Sequence, residues 1–204
     1  MVVLININEN KRLKMTLKDW IESSYLSIEN IIMNSSSDNV DKKGDDAMID
    51  EPIGISHNCE PSLLYKLINS SKEKKNMVLT AFRVQNDGRR RGNCPVNRNS
   101  ICSILSKKNI NNANMGNNFY WRLLDTKFVI SPEGNGIDCH RHWEALYFGA
   151  IPIVERNEEM EKKLIGLPVL YTTDYSEINE TYLKNIYDKM INTEYDFSRL
   201  MIQC

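Results

Sequence analysis

Arg141 and Glu144, three residues apart, are the pair in this chain whose types and spacing best suit chemistry on a charged ligand. On a helix that spacing brings both side chains to one face. A guanidinium can grip phosphate, and a carboxylate can accept hydrogen bonds from sugar hydroxyls. Just ahead of them stands Glu133-Gly134-Asn135-Gly136. A loop with two glycines between a strand and a helix lets backbone N–H groups approach an anion closely. Gly134, Asn135, Gly136, Asp138, Arg141 and Glu144, with Arg98 as a further cation, therefore read as a nucleotide or nucleotide-sugar site. A sugar nucleotide carries a pyrophosphate whose negative charge grows as the glycosidic bond breaks. N–H groups at a helix start, together with arginine, neutralise that charge and ease departure. If Arg98 and Arg141 do this work, neither a metal nor a separate cofactor is needed. No motif for a base or nucleophile stands out, so inversion and retention are both open.

Each of these features also has a plainer reading. Gly134 and Gly136 can simply make a tight turn. Arg141 and Glu144 can be a solvated helix pair worth about 0.3–0.5 kcal/mol. Asp138 can be a helix N-cap instead of a ligand contact. Asp138, Cys139, His140 and His142 invite a metal reading, but they crowd one short segment with no distant partner in view. Arg89-Arg90-Arg91 reads as a solvated basic loop, with polyanion contact as the sharper option. Trp143 and Tyr147, four apart, read as core packing.

The elements that must position these groups follow from the surrounding pattern. Lys127 to Val154 reads KFVISPEGNGIDCHRHWEALYFGAIPIV. That is a strand ending at Ser131, a tight loop, a helix from near Asp138 to Gly149, and a strand Ile151-Pro152-Ile153-Val154. Residues 2–7 suggest a short strand, and Thr16 can cap a helix running to about Met33. Residues 34–51 are polar and acidic and read as a linker. Residues 61–71 suggest a helix, Met77 to Phe82 a strand, and Ile101 to Lys107 a short helix. Arg83 to Asn99 starts as a loop, and residues 108–120 are Asn-rich and irregular. Pro168 to Tyr171 suggests a strand, and Asn179 to about Thr193 a terminal helix with Tyr182, Ile186 and Met190 on one face. Strands alternating with helices predict an α/β Rossmann-like parallel sheet with helices on both faces. The expected division is a strand-and-helix extension over 1–33, a linker over 34–51, and the nucleotide-sugar-binding domain over 52–204. In such sheets ligands bind beyond the carboxyl ends of the strands. The loops after Phe82 and after Ser131 would then face each other across one site.

Bulk composition narrows the classes. The chain has 204 residues, 41% hydrophobic and 26% charged, as expected of a globular protein with a substantial core. A net charge of −1 argues against a dedicated nucleic-acid binder. No apolar run approaches the roughly 20 residues that span a bilayer, and the N-terminus lacks the pattern of a secretory signal. Five scattered cysteines without a C-x-x-C pair suggest a reduced, cytoplasmic setting.

The stretch from Phe128 to Val154 resembles the donor-binding motif of exostosin-like and related glycosyltransferases of the two-Rossmann-domain (GT-B) architecture. Similar segments occur in glycosyltransferase-like proteins of large DNA viruses and algae. The matching residues are Ser131-Pro132, Gly134-Asn135-Gly136, Asp138, Arg141, Glu144-Ala145, Gly149 and Ile151-Pro152-Ile153-Val154. Pro52-Ile53-Gly54 resembles the opening of the donor domain, and Phe82 through Asn97-Arg98 the strand leading to a phosphate-binding arginine. The resemblance covers about residues 50–175. It implies the donor-binding, C-terminal half of such an enzyme, a nucleotide-diphosphate sugar as donor, and a glycan or other acceptor. The residues before Pro52 are too few for the family's acceptor-binding domain, so the expectation is slow or absent transfer unless a second chain supplies that half. Two other classes compete. One is a non-catalytic binding or assembly protein that keeps the pocket. The other is an NAD-type dinucleotide binder, since Gly134-x-Gly136 opens a helix and Glu155 follows about 20 residues on. Against that reading, Cys139 stands at the third glycine position.

Overall fold

A computed structural model describes residues 13–22, 55, 56, 59, 63, 66, 67, 70, 73–113, 116 and 118–200. The expected strand at 2–7, the helix beyond residue 22, the linker, Pro52-Ile53-Gly54 and most of 61–71 lie outside them, although Leu63, Lys66 and Leu67 are helical.

Four apolar runs make the centre of the molecule: β2 (Asn76–Thr80), β3 (Thr126–Ile130), β4 (Ile151–Glu155) and β5 (Leu170–Thr172). They form one parallel sheet in the order β2-β3-β4-β5, with Val78 opposite Phe128, Ile130 opposite Ile153, and Val154 opposite Tyr171. Phe128, Val129, Ile130, Ile151, Ile153 and Val154 are fully buried. Near-continuous burial along a strand is what a parallel sheet covered by helices requires. The α/β Rossmann-like fold is therefore as the alternating pattern predicts. Among the described residues no helix is long and apolar enough to cross a membrane.

Helices surround the sheet, and most are set by identifiable caps. Asn97 starts α3 (Arg98–Ser106) with a reciprocal capping box to Ser100. Asn157 caps α6 (Glu158–Lys163) and Asn179 caps α7 (Glu180–Met190). Between β2 and α3 lie a 3-10 turn (Val84–Asp87) and the short α2 (Gly88–Arg91), so the expected loop is largely coiled. The Asn-rich stretch gives way to α4 (Phe119–Leu124), which buries Phe119, Tyr120, Leu123 and Leu124. The central helix, α5, spans His140–Tyr147, two residues later than the sequence suggested. The turn that follows it passes through Gly149, whose φ of +67° is the left-handed conformation that glycine adopts without strain. A Cβ there would also sit 2.8 Å from Ile21. On α7 the fully covered residues are Leu183 and Tyr187, while Tyr182, Ile186 and Met190 are half-buried at the flank. The apolar stripe was thus placed one position off its centre.

The described part of the N-terminal segment packs into the domain. Strand β1 (Lys14–Thr16) pairs antiparallel with β6 (Glu194–Asp196). Thr16 caps α1 (Leu17–Glu22), its hydroxyl accepting from the Asp19 N–H at 3.1 Å. Trp20 on α1 stacks on Phe197 at 4.4 Å, and its indole donates to the Leu146 carbonyl at 2.9 Å. Lys74 donates to the Phe148 carbonyl at 2.6 Å, just past the end of α5. A cation there complements the negative end of the helix dipole.

Candidate functional site

A cleft of about 810 Å³ opens beyond the carboxyl ends of β2 and β3. One wall comes from the segment after β2, with Arg83, Asn86 and Arg98. The other comes from the segment after β3, with Gly134, Asn135, Gly136, Asp138, Cys139, His140, Arg141 and Glu144. Phe119 and Tyr120 of α4, Gly116, Ser56 and Leu63 complete the lining. All seven residues singled out from the sequence, Arg98 included, are brought to this one cleft.

Their local roles differ from the expectation in several places. Gly134 has no positive φ, so its need for glycine is not conformational. A Cβ at Gly134 would lie 2.9 Å from the Arg98 guanidinium, so the missing side chain makes room for that arginine. Its own N–H donates to the Gly136 carbonyl at 3.0 Å and closes the turn. Arg98 is buried and donates from Nη1 to the Arg83 carbonyl (2.9 Å), from Nη2 to Pro132 (2.9 Å) and from Nε to Glu133 (2.8 Å). Three of the five guanidinium N–H groups are thus spent on holding the two walls together. Asp138 does not cap α5. Its Oδ1 accepts from the Trp143 indole at 2.7 Å, and its Oδ2 pairs with Lys163 at 2.7 Å. That carboxylate ties the cleft loop to α5 and α6.

Arg141 and Glu144 meet as the helical spacing predicts. The Arg141 guanidinium lies over the Phe119 ring, 4.9 Å from its centroid. Burial lowers the Arg141 pKa; Glu144 opposes that shift and the like charge of Arg98 adds to it. Burial also lowers that of Arg98. Both cations are therefore held in surroundings that an anion would improve. Glu144 is buried, and its Oε1 accepts from the Tyr120 hydroxyl at 2.9 Å and the Ser56 N–H at 3.4 Å. Desolvation and the nearby Glu144 carboxylate push the Tyr120 phenol far above its ordinary value, so it stays a donor.

Behind the cleft wall lies a second set of charges. Arg91 is buried and pairs with Glu155 at 2.9 Å, Glu133 at 3.2 Å and Asp87 at 3.5 Å. Glu155 also accepts from Tyr175 at 3.0 Å and from the Glu133 N–H at 3.1 Å. Arg90 pairs with Glu133 at 2.5 Å. The basic run is thus divided: Arg89 is exposed, Arg90 pairs at the surface, and Arg91 is an interior group. Reading all three as a solvated loop is corrected for the last two. Sequence reasoning missed this because the partners Glu133 and Glu155 lie 42 and 64 positions away. Glu155, the acid that a dinucleotide fingerprint would place on a ribose, is fully engaged here and does not line the cleft.

Ser131 and His142 form a buried pair, the hydroxyl donating to Nδ1 at 2.7 Å while Nε2–H donates to the Ile137 carbonyl at 3.2 Å. Both residues are 0% exposed, so the pair locks the loop and meets no substrate. Burial lowers the His142 pKa and keeps the ring neutral. Burial likewise pushes the Cys139 thiol up to about 11, which keeps it protonated and a poor nucleophile at neutral pH. Among lining residues, Arg83, Asn86, Phe119, Tyr120 and Ser56 were not anticipated. Position directly after a strand end was an available signal for Arg83. Tyr120 carried none, since only the fold brings it to Glu144. Comparison with known proteins finds no matching family model and no matching curated relative.

Proposed function

We propose that the cleft binds a nucleotide-diphosphate sugar, as in the donor-binding half of a glycosyltransferase. The observation that carries this reading is the charge balance of the lining. Among the described lining residues, Arg83, Arg98 and Arg141 face the cleft against Glu144, because the charge on Asp138 is already met by Lys163. A locally cationic cleft in a chain of net charge −1 suits a diphosphate. Arg141 lies against the phosphates and neutralises the leaving group, with the remaining Arg98 donors beside it. Glu144 takes a sugar hydroxyl through Oε2, since Oε1 already serves Tyr120 and Ser56. The dinucleotide reading is weakened by the commitment of Glu155 to Arg91, Tyr175 and the Glu133 N–H. Calorimetric titration with UDP-sugars, GDP-sugars and NAD tests the reading. Micromolar binding of a sugar nucleotide is expected, and binding of NAD alone would overturn it.

A binding role without turnover is the second reading, and one observation favours it. Both carboxylates lining the cleft are held by protein donors, Asp138 by Trp143 and Lys163 and Glu144 by Tyr120 and Ser56. Neither stands as an evident base. Release of nucleoside diphosphate from a bound sugar nucleotide, with or without an acceptor, separates the two.

A further inference from the structure

Arg98, the expected phosphate ligand on the wall after β2, spends a donor on each of three carbonyls. That wall still needs a cation if a diphosphate is to be held from both sides. Arg83 is the other cation there. It is exposed and lines the cleft. Its backbone is fixed, because its carbonyl accepts from Arg98 Nη1 at 2.9 Å. Its guanidinium, by contrast, has no hydrogen-bond or ion-pair partner among the described residues. An arginine with an anchored backbone and an uncommitted fork is placed to close on an anion when one arrives.

Building on the proposed nucleotide-diphosphate reading, we infer that Arg83 is a ligand-binding residue that takes one phosphate of the pair while Arg141 takes the other. The two walls then divide the diphosphate between them, and Arg83 confers the preference for diphosphate over monophosphate. Side-chain removal is a clean probe, because among the described residues the bonds Arg83 gives the fold run through its carbonyl, to Arg98 and to the Asn86 N–H. The test is titration of the full chain, and of Arg83→Ala and Arg83→Lys, with UDP, UMP, GDP and GMP. The unaltered chain is expected to favour one diphosphate over its monophosphate by tenfold or more. Arg83→Ala should weaken that diphosphate about tenfold and the monophosphate less than twofold, with an unchanged melting midpoint. Arg83→Lys should restore part of the preference through its point charge. A preference that survives Arg83→Ala overturns the assignment of Arg83 alone. Failure of the unaltered chain to bind either diphosphate overturns the nucleotide reading and this inference with it.

Discussion

Two clusters of arginine and glutamate lie a few residues apart in this molecule and do opposite things. Arg91, Glu133, Glu155 and Tyr175 form a knot in which opposite charges are paired away from water. Arg83, Arg98, Arg141 and Glu144 form a wall in which cations outnumber the available carboxylate. The first set stabilises the loops. Among its described residues the second carries more positive than negative charge. Residue type does not separate them; the difference is which partners the topology delivers, buried carboxylates for Arg91, but backbone carbonyls for Arg98 and an aromatic ring for Arg141.

The largest test of that contrast is Arg91→Ala. It removes the cation shared by the buried carboxylates of Glu155, Glu133 and Asp87, and loss of one partner of a buried ion pair typically costs about 3–5 kcal/mol. Urea unfolding should register that loss, to the point that the variant is only partly folded. Arg141→Ala should do the reverse. Diphosphate binding should weaken by about 1.5–3 kcal/mol, with a smaller loss of stability than Arg91→Ala produces. Equal stability losses for the two variants would erase the distinction between knot and wall.

His142 tests the same border by pH. Burial holds its folded pKa below the ordinary 6.5, so the unfolded chain binds the proton more tightly. Stability is then full above about pH 6.5 and falls as pH drops toward the folded value, by at most about 1.4 kcal/mol per unit. Unfolding free energies measured from pH 8 to 5 should show this slope, and His142→Gln should flatten it. The smallest effects are expected at the surface and from chelation. Arg89→Ala should change stability and affinity by less than about 0.5 kcal/mol. EDTA should leave diphosphate affinity nearly unchanged, and a strict magnesium or manganese requirement would count against the arginine-based site.

How much of this was readable beforehand depended on range. The strand–loop–helix–strand unit around Gly134 was legible because its periodicity and turn residues are local, and so was the meeting of two strand-end loops at one cleft. The cap at Thr16 and the helix that begins near Asn179 were legible for the same reason. The burial of Arg91 was not, since a run of three arginines looks uniform until Glu133 arrives from the loop after β3 and Glu155 from the end of β4. The position of Arg98 was readable but its use was not, because three backbone carbonyls leave no trace in side-chain identity. Asp138 misled for a related reason. An aspartate just before a helix looks like a cap, yet Trp143 and Lys163 compete for it more effectively.

A flat group that grips backbone on both sides of a gap acts as a gauge. Arg98 spans from the Arg83 carbonyl to those of Pro132 and Glu133, all within 2.8–2.9 Å. The guanidinium atoms are coplanar and do not bend. Spreading the two loops therefore breaks bonds together instead of stretching one at a time. The aperture has in effect a set width, neither elastic nor hinged at this point. A ligand that needed a wider gap would have to break those bonds together to enter.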